Sequence, residues 1–199
     1  VVITQPDSLV AQVANVQDAL CFGTATGSVT LQGIGGTAPY SFGLDSNLVD
    51  TDPLIDSLSQ GTYTFYILDD SSCLSSITAT INEPPLLIAS VGLATDVDCN
   101  GNNTGIFQVD GQGGTPGYEY ALLNTGNVGP GYGPSPVFDS LFAGLYTLFV
   151  RDTNGCIATV DTAINTPDGL QGGIGSLTDV ACFGDSTCAL LMTASGGTG

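Results

Sequence analysis

Three stretches of this 199-residue chain repeat one another. A period of that kind constrains the fold more than any single motif, because every unit must bury the same faces in the same order. Ile3-Thr4-Gln5-Pro6-Asp7 returns as Ile81-Asn82-Glu83-Pro84-Pro85 and as Ile164-Asn165-Thr166-Pro167-Asp168. Cys21-Phe22-Gly23 returns as Cys99-Asn100-Gly101 and Cys182-Phe183-Gly184, and Gly35-Gly36-Thr37 as Gly113-Gly114-Thr115 and Gly196-Gly197-Thr198. Pro6 to Pro84, Cys21 to Cys99 and Gly35 to Gly113 are each 78 residues apart, and the next step is 83 for all three. Gly61-Thr62-Tyr63-Thr64 and Gly144-Leu145-Tyr146-Thr147 keep the same register, as do Cys73 and Cys156. The five additional residues of the second unit fall between Gly114 and Cys156. The Gly- and Pro-rich stretch Asn127–Pro136 is where a longer loop is expected. The expected division is residues 1–82, whose opening strand can belong to a preceding unit, then 83–165, then 166–199 as the start of a third unit. With no signal peptide in view and Met192 as its one methionine, the chain reads as a window onto a longer array.

Each unit reads as β-structure. Ser28–Gln32 and Ile106–Asp110 are short alternating or β-rich runs, and Tyr63–Leu68 and Tyr146–Val150 are rich in aromatic and β-branched residues. Ile77–Ile81 and Ile157–Ile164 close the units. Turn clusters separate the runs at the spacing of a sandwich or barrel, and no segment sustains a 3.6-residue period. Leu86–Ala94 is apolar enough for a helix, but Gly92 and its β-branched residues favour a strand. The expected fold class is therefore all-β: tandem immunoglobulin-like β-sandwich repeats of about 80 residues. Tyr63 and Tyr146, each following Leu-x-x-Gly-x, fit a tyrosine corner, in which the hydroxyl bonds backbone at the start of a strand. An ordinary strand tyrosine is the alternative.

Six cysteines are present, without a Cys-x-x-Cys pair and without histidine to complete a zinc site. They read as disulfides of an oxidising compartment. Within a unit, Cys21 is expected to pair with Cys73 and Cys99 with Cys156, each bond contributing roughly 4 kcal/mol in the chain-entropy account. Cys182 then takes a partner outside the sequence or stays unpaired. Cys188 occupies the place of Gly27 and Gly105, and is open to pairing with Cys182, to an outside partner, or to being a buried free thiol.

The charge balance excludes several roles. Nineteen acidic residues face one cation, Arg151, and no histidine, giving a net charge of −18. Nucleic-acid binding depends on basic residues that neutralise phosphates, and none cluster here. Insertion into a membrane is not expected either, since no apolar run reaches the length of a span. Without histidine or lysine, the usual base of a nucleophilic triad and the Schiff-base amine are missing, so no catalytic residues are assigned and the chain is not expected to be an enzyme. No cofactor is expected, calcium being the one candidate. Asp69, Asp70 and Asp152 lie at strand ends, and Asp96 and Asp98 just before Cys99, where they could present oxygen ligands or simply cap turns. Asp-Ser/Thr pairs followed by a small or apolar residue mark Ser8, Ser57, Ser140, Thr162 and Ser186 as candidate O-glycosylation sites, with Asx turns as the plain alternative. Tyr118, Tyr120 and Tyr132 are candidates for an exposed aromatic binding face.

The combined pattern resembles the SprB repeat. It is carried by Cys99-Asn100-Gly101, Gly113–Tyr118, Leu141–Asp152, Cys156 and Ile164–Pro167, and again by Cys21, Gly35–Tyr40, Leu58–Asp69, Cys73 and Ile81–Pro84. Phe22 and Phe183 depart from the asparagine of the family start, and Cys188 is extra. The resemblance implies a very large mobile surface adhesin of gliding bacteria, exported by type IX secretion to the extracellular cell surface. Its partners are then neighbouring repeats of the same chain, a surface polysaccharide or other external substratum, and the secretion and motility machinery. A calcium- or carbohydrate-binding accessory module of a secreted enzyme, and a structural surface fibre, are the rival expectations.

Overall fold

Period-two burial organises the central strands of both repeats. In the computed structural model, which describes residues 5, 7–45, 50–124, 131–184 and 186–197, Gly61–Asp69 buries Phe65, Ile67 and Asp69 on one face and turns Thr64, Tyr66 and Leu68 the other way. Gly144–Arg151 repeats this with Tyr146, Leu148 and Val150 inward. In chain order the first repeat supplies β1 (Val10–Gln17), β2 (Gly27–Ile34), β3 (Tyr40–Gly43), β4 (Leu54–Leu58), β5 (Gly61–Asp69) and β6 (Leu74–Ile81). The second supplies β7 (Ile88–Thr95), β8 (Gly105–Gln112), β9 (Glu119–Asn124), β10 (Val137–Leu141), β11 (Gly144–Arg151) and β12 (Ile157–Ile164). A hairpin of β13 (Gln171–Thr178) and β14 (Ala189–Ser195) follows. All of these pairings are antiparallel, and no helix occurs among the described residues.

The sheets are β1-β2-β4 with β3-β5-β6, and β7-β8-β10 with β9-β11-β12. First, second and fourth strands thus form one layer and third, fifth and sixth the other. Among the described residues that is the A-B-E and C-F-G arrangement of an immunoglobulin constant-type sandwich. The first core joins both layers through Val29, Leu31, Phe42, Leu58, Phe65, Ile67 and Ile81. In antibody domains the second cysteine of the inter-sheet disulfide stands two residues beyond the corner tyrosine. Here Phe65 and Leu148 hold that place, both fully buried. The layers are therefore held by apolar burial, about 1.5–3 kcal/mol for each large side chain, and the cysteines lie elsewhere.

The chain divides into a first compact unit, Val1–Leu87 with Gly113–Gly117 and Asp152–Cys156, and a second, Ile88–Gln112, Tyr118–Arg151 and Ile157–Gly199. The hairpin β13–β14 copies the β1–β2 and β7–β8 pairings down to the bulge, with registers that skip residues 14, 92 and 175. It is a two-stranded sheet with both faces exposed, Ile174, Leu177 and Met192 among its residues. The Gly111–Gly114 segment leads from one sheet to the other, from β8 to β9. Of the repeated motifs, Ile3, Thr4, Pro6 and Thr198 lie outside the described residues, as do 127–130 of the expected longer loop.

Candidate functional site

Two buried aspartates organise the turns that recur in both repeats. Asp69 Oδ2 accepts from Thr37 N at 2.9 Å and Oδ1 from Cys73 N at 2.7 Å. Asp152 does the same with Thr115 N at 2.8 Å and Cys156 N at 2.9 Å. Each carboxylate clamps the Gly-Gly-Thr link between the two sheets to the cysteine-bearing hairpin turn. The second glycine of the link is required twice over. Gly36 and Gly114 have φ of +64° and +58°, and a Cβ on either would stand 2.6 Å from the clamping oxygen. The backbone N–H of Thr37, joined by that of Cys73, holds the Asp69 carboxyl below the usual carboxylate range.

The aspartates singled out as oxygen ligands for calcium are thus engaged by protein donors at several positions. Asp69 and Asp152 are clamps, while Asp98 Oδ1 accepts from Asn102 Nδ2 at 3.0 Å and Thr104 Oγ1 at 2.8 Å, which lowers its pKa. Asp96 Oδ1 accepts from Asn165 N at 2.7 Å, and Asp70 is exposed. No group of three or more His, Cys, Asp or Glu able to hold a metal ion occurs among the described residues.

The cysteine pairing differs from the expectation. The disulfide joins Cys21 to Cys156, with Cα atoms 5.7 Å apart, and Cys73, Cys99, Cys182 and Cys188 are free and exposed. The expected Cys21–Cys73 and Cys99–Cys156 bonds are not formed, and the strands explain why. Cys73 precedes β6, in the turn that the Asp69 clamp holds. Cys21 lies in the β1–β2 loop at the far end of β6, where Ala19 N donates to Asn82 O at 2.9 Å and Gly23 N to Glu83 Oε2 at 2.7 Å. Eight strand residues span about 25 Å, whereas a disulfide needs Cα atoms within about 7 Å. Likewise β12 separates Cys156 at its start from Asn165, whose carbonyl accepts from Val97 N at 3.3 Å in the Cys99 loop. Cys188 is an exposed free thiol, not a buried one.

Most of the Asp-Ser/Thr candidates fall on the surface. Ser57 and Ser140 occupy equivalent strand positions with φ of +58° and +57°, exposed, each hydroxyl donating to the preceding aspartate at 3.0 and 3.1 Å. Ser8 and Ser186 are exposed, Thr162 is half-buried in β12, and Asp185 of the Asp185-Ser186 pair lies outside the described residues. The Tyr63 hydroxyl donates to Ser59 O at 3.0 Å and that of Tyr146 to Phe142 O at 2.8 Å. Tyr118 and Tyr120 are half-buried. Sequence reasoning missed the role of Tyr132. Its ring stacks under the Arg151 guanidinium, 4.1 Å away, while Arg151 Nε donates to Glu119 Oε2 at 3.1 Å. The signal was a lone cation in a chain of carboxylates.

The SprB repeat family matches residues 13–48 and 93–127. No curated protein matches the chain. Among solved structures, three N-terminal domains of the bacteriophage RB49 Highly Immunogenic Outer Capsid protein share 12% identity, covering 96% of this chain and 70% of that one, with a TM-score of 0.48. A C-terminal intimin fragment in complex with an intimin-binding domain shares 13%, covering 81% and 66%, at 0.39. A tetra-tandem repeat from the extending region of a large adhesion protein shares 15%, covering 96% and 65%, at 0.28.

Proposed function

We propose, from the SprB-repeat matches over residues 13–48 and 93–127, that this chain is a stretch of a long secreted filament that attaches cells to external surfaces. The observation that carries the proposal is the recurrence, strand for strand, of one small sandwich, with the opening hairpin of a third after it. A module that recurs in one chain multiplies weak contacts, and linked weak contacts raise attachment through effective concentration without any single strong site. The chemistry supports a non-enzymatic role: the turns spend their buried carboxylates on backbone N–H groups, which is structural work.

The ligand class this reading favours is a neutral or cationic polysaccharide or substratum, since a surface of net charge −18 repels anionic ones. Transport along the cell surface by a gliding machinery, and export by type IX secretion, complete the proposal. Antibodies against the chain test it. They should label intact cells, block their attachment, and carry bound beads along the cell surface. Labelling that requires permeabilised cells would overturn display, and attachment unaffected by saturating antibody would overturn the adhesive role.

A further inference from the structure

Both halves of the Cys21–Cys156 bond occur a second time, unbonded. The loop half is a cysteine whose carbonyl accepts from the residue three further on, with a left-handed glycine between. Thr24 N donates to Cys21 O at 3.2 Å past Gly23 (φ +70°), and Asn102 N to Cys99 O at 3.1 Å past Gly101 (φ +87°). The turn half is a cysteine held by a buried aspartate two ways. Asp152 N donates to Cys156 O at 3.0 Å and Asp152 Oδ1 accepts from Cys156 N, and Asp69 and Cys73 reproduce both bonds, the first at 3.1 Å. Even the left-handed residue before the turn cysteine recurs, as Gly155 (φ +83°) and as Ser72 (φ +65°), which accepts a conformation glycine adopts more readily.

From these matched halves we infer that Cys21–Cys156 is one link of a series, in which the loop cysteine of each repeat is joined to the turn cysteine of the next. Cys99 is then the half-cystine for the turn cysteine of a following copy of the repeat, and Cys73 the half-cystine for the loop cysteine of a preceding copy. A bond within one repeat is unavailable to either, because each repeat holds its two cysteines a strand length apart. The observed link has a sequence separation of 135. The same separation counted back from Cys73 or forward from Cys99 falls outside the 199 residues, so both thiols stand free and exposed here. Each link forms when two thiols give up two protons and two electrons to a disulfide oxidant, which is itself reduced to two thiols. Successive links overlap between a loop cysteine and the next turn cysteine, so the backbone between Cys99 and Cys156 lies inside two of them.

Trypsin reads the link directly, because Arg151 is the one Lys or Arg in the chain. After native alkylation with N-ethylmaleimide, denaturation and digestion, residues 152–199 should stay attached to 1–151 until reduction, with Cys73 and Cys99 alkylated. C21A should release 152–199 without reductant and C99A should not. Release by C99A instead would overturn the assignment. In a longer chain with one more repeat at each end, Cys73 and Cys99 should lose alkylation and appear in cross-linked peptides with the added repeats. Thiols that stay reactive there, while C21A still releases 152–199, would refute the series and leave the single bond standing.

Discussion

A carboxylate with both oxygens committed to backbone N–H groups is costly to alter, because the donors lose their partner away from water. Asp152 is 4% exposed and serves Thr115 and Cys156 at once. D152N keeps the shape but turns an amide NH2 toward one of those donors, so it is expected to lose about 1–3 kcal/mol, read as a lower urea midpoint with an unchanged m-value. Asp69 adds a pH dependence of definite sign. Its folded pKa lies below 3.8 because Thr37 N and Cys73 N favour the charged form. Its contribution is therefore present above 3.8 and is lost as pH falls through the lower folded value. The stability gap between wild type and D69N should shrink from pH 5 to pH 2 in urea titrations. A gap that widens on acidification would contradict the clamp.

Turns and strands differ in how far the sequence exposes them. Gly114 and Gly101 are both left-handed, at φ +58° and +87°, but a Cβ on Gly101 meets nothing within 4 Å while one on Gly114 meets the Asp152 clamp. G101A should therefore cost about 1 kcal/mol, the backbone strain alone, and G114A about 3 kcal/mol once the clamp is displaced. Equal costs in denaturant melts would mean that the clamp is not coupled to the link. The same elements show what sequence reasoning could reach. Ile157–Ile164 reads as a strand end to end on its β-branched residues, and Leu86–Ala94 resolves as β7 on its own. β3 and β4, at four and five residues, lack the length to show a period. The clamp left a faint trace, an aspartate four residues before each turn cysteine. Its partner link is more than thirty residues away, so only the fold brings them together.

At the scale of the whole chain the repeat was legible and the cysteine pairing was not. Equal spacings say which cysteines are equivalent, but not at which end of the sandwich each one lies, and that is what forbids a bond inside a repeat. Charge gives the last prediction. Among the described residues the ion pair is Arg151 with Glu119, and no lysine or second arginine exists to make another. Nineteen acidic residues otherwise repel one another, and two carboxylates about 10 Å apart in water interact by ~0.4 kcal/mol at low salt. A handful of such pairs totals about 1–2 kcal/mol against the folded state. Raising sodium chloride from 0.01 to 1 M shortens the screening length from about 30 to about 3 Å, which removes this repulsion and weakens a single attraction. The melting temperature at pH 7 should therefore rise with salt, by roughly 2–4 °C for each kcal/mol recovered in a chain of this size. The rise should be larger in R151Q, because at low ionic strength the one cation no longer offsets Glu119. A melting temperature that falls with salt would mean that attractive charge pairs, not repulsion, govern the fold, which one cation cannot supply.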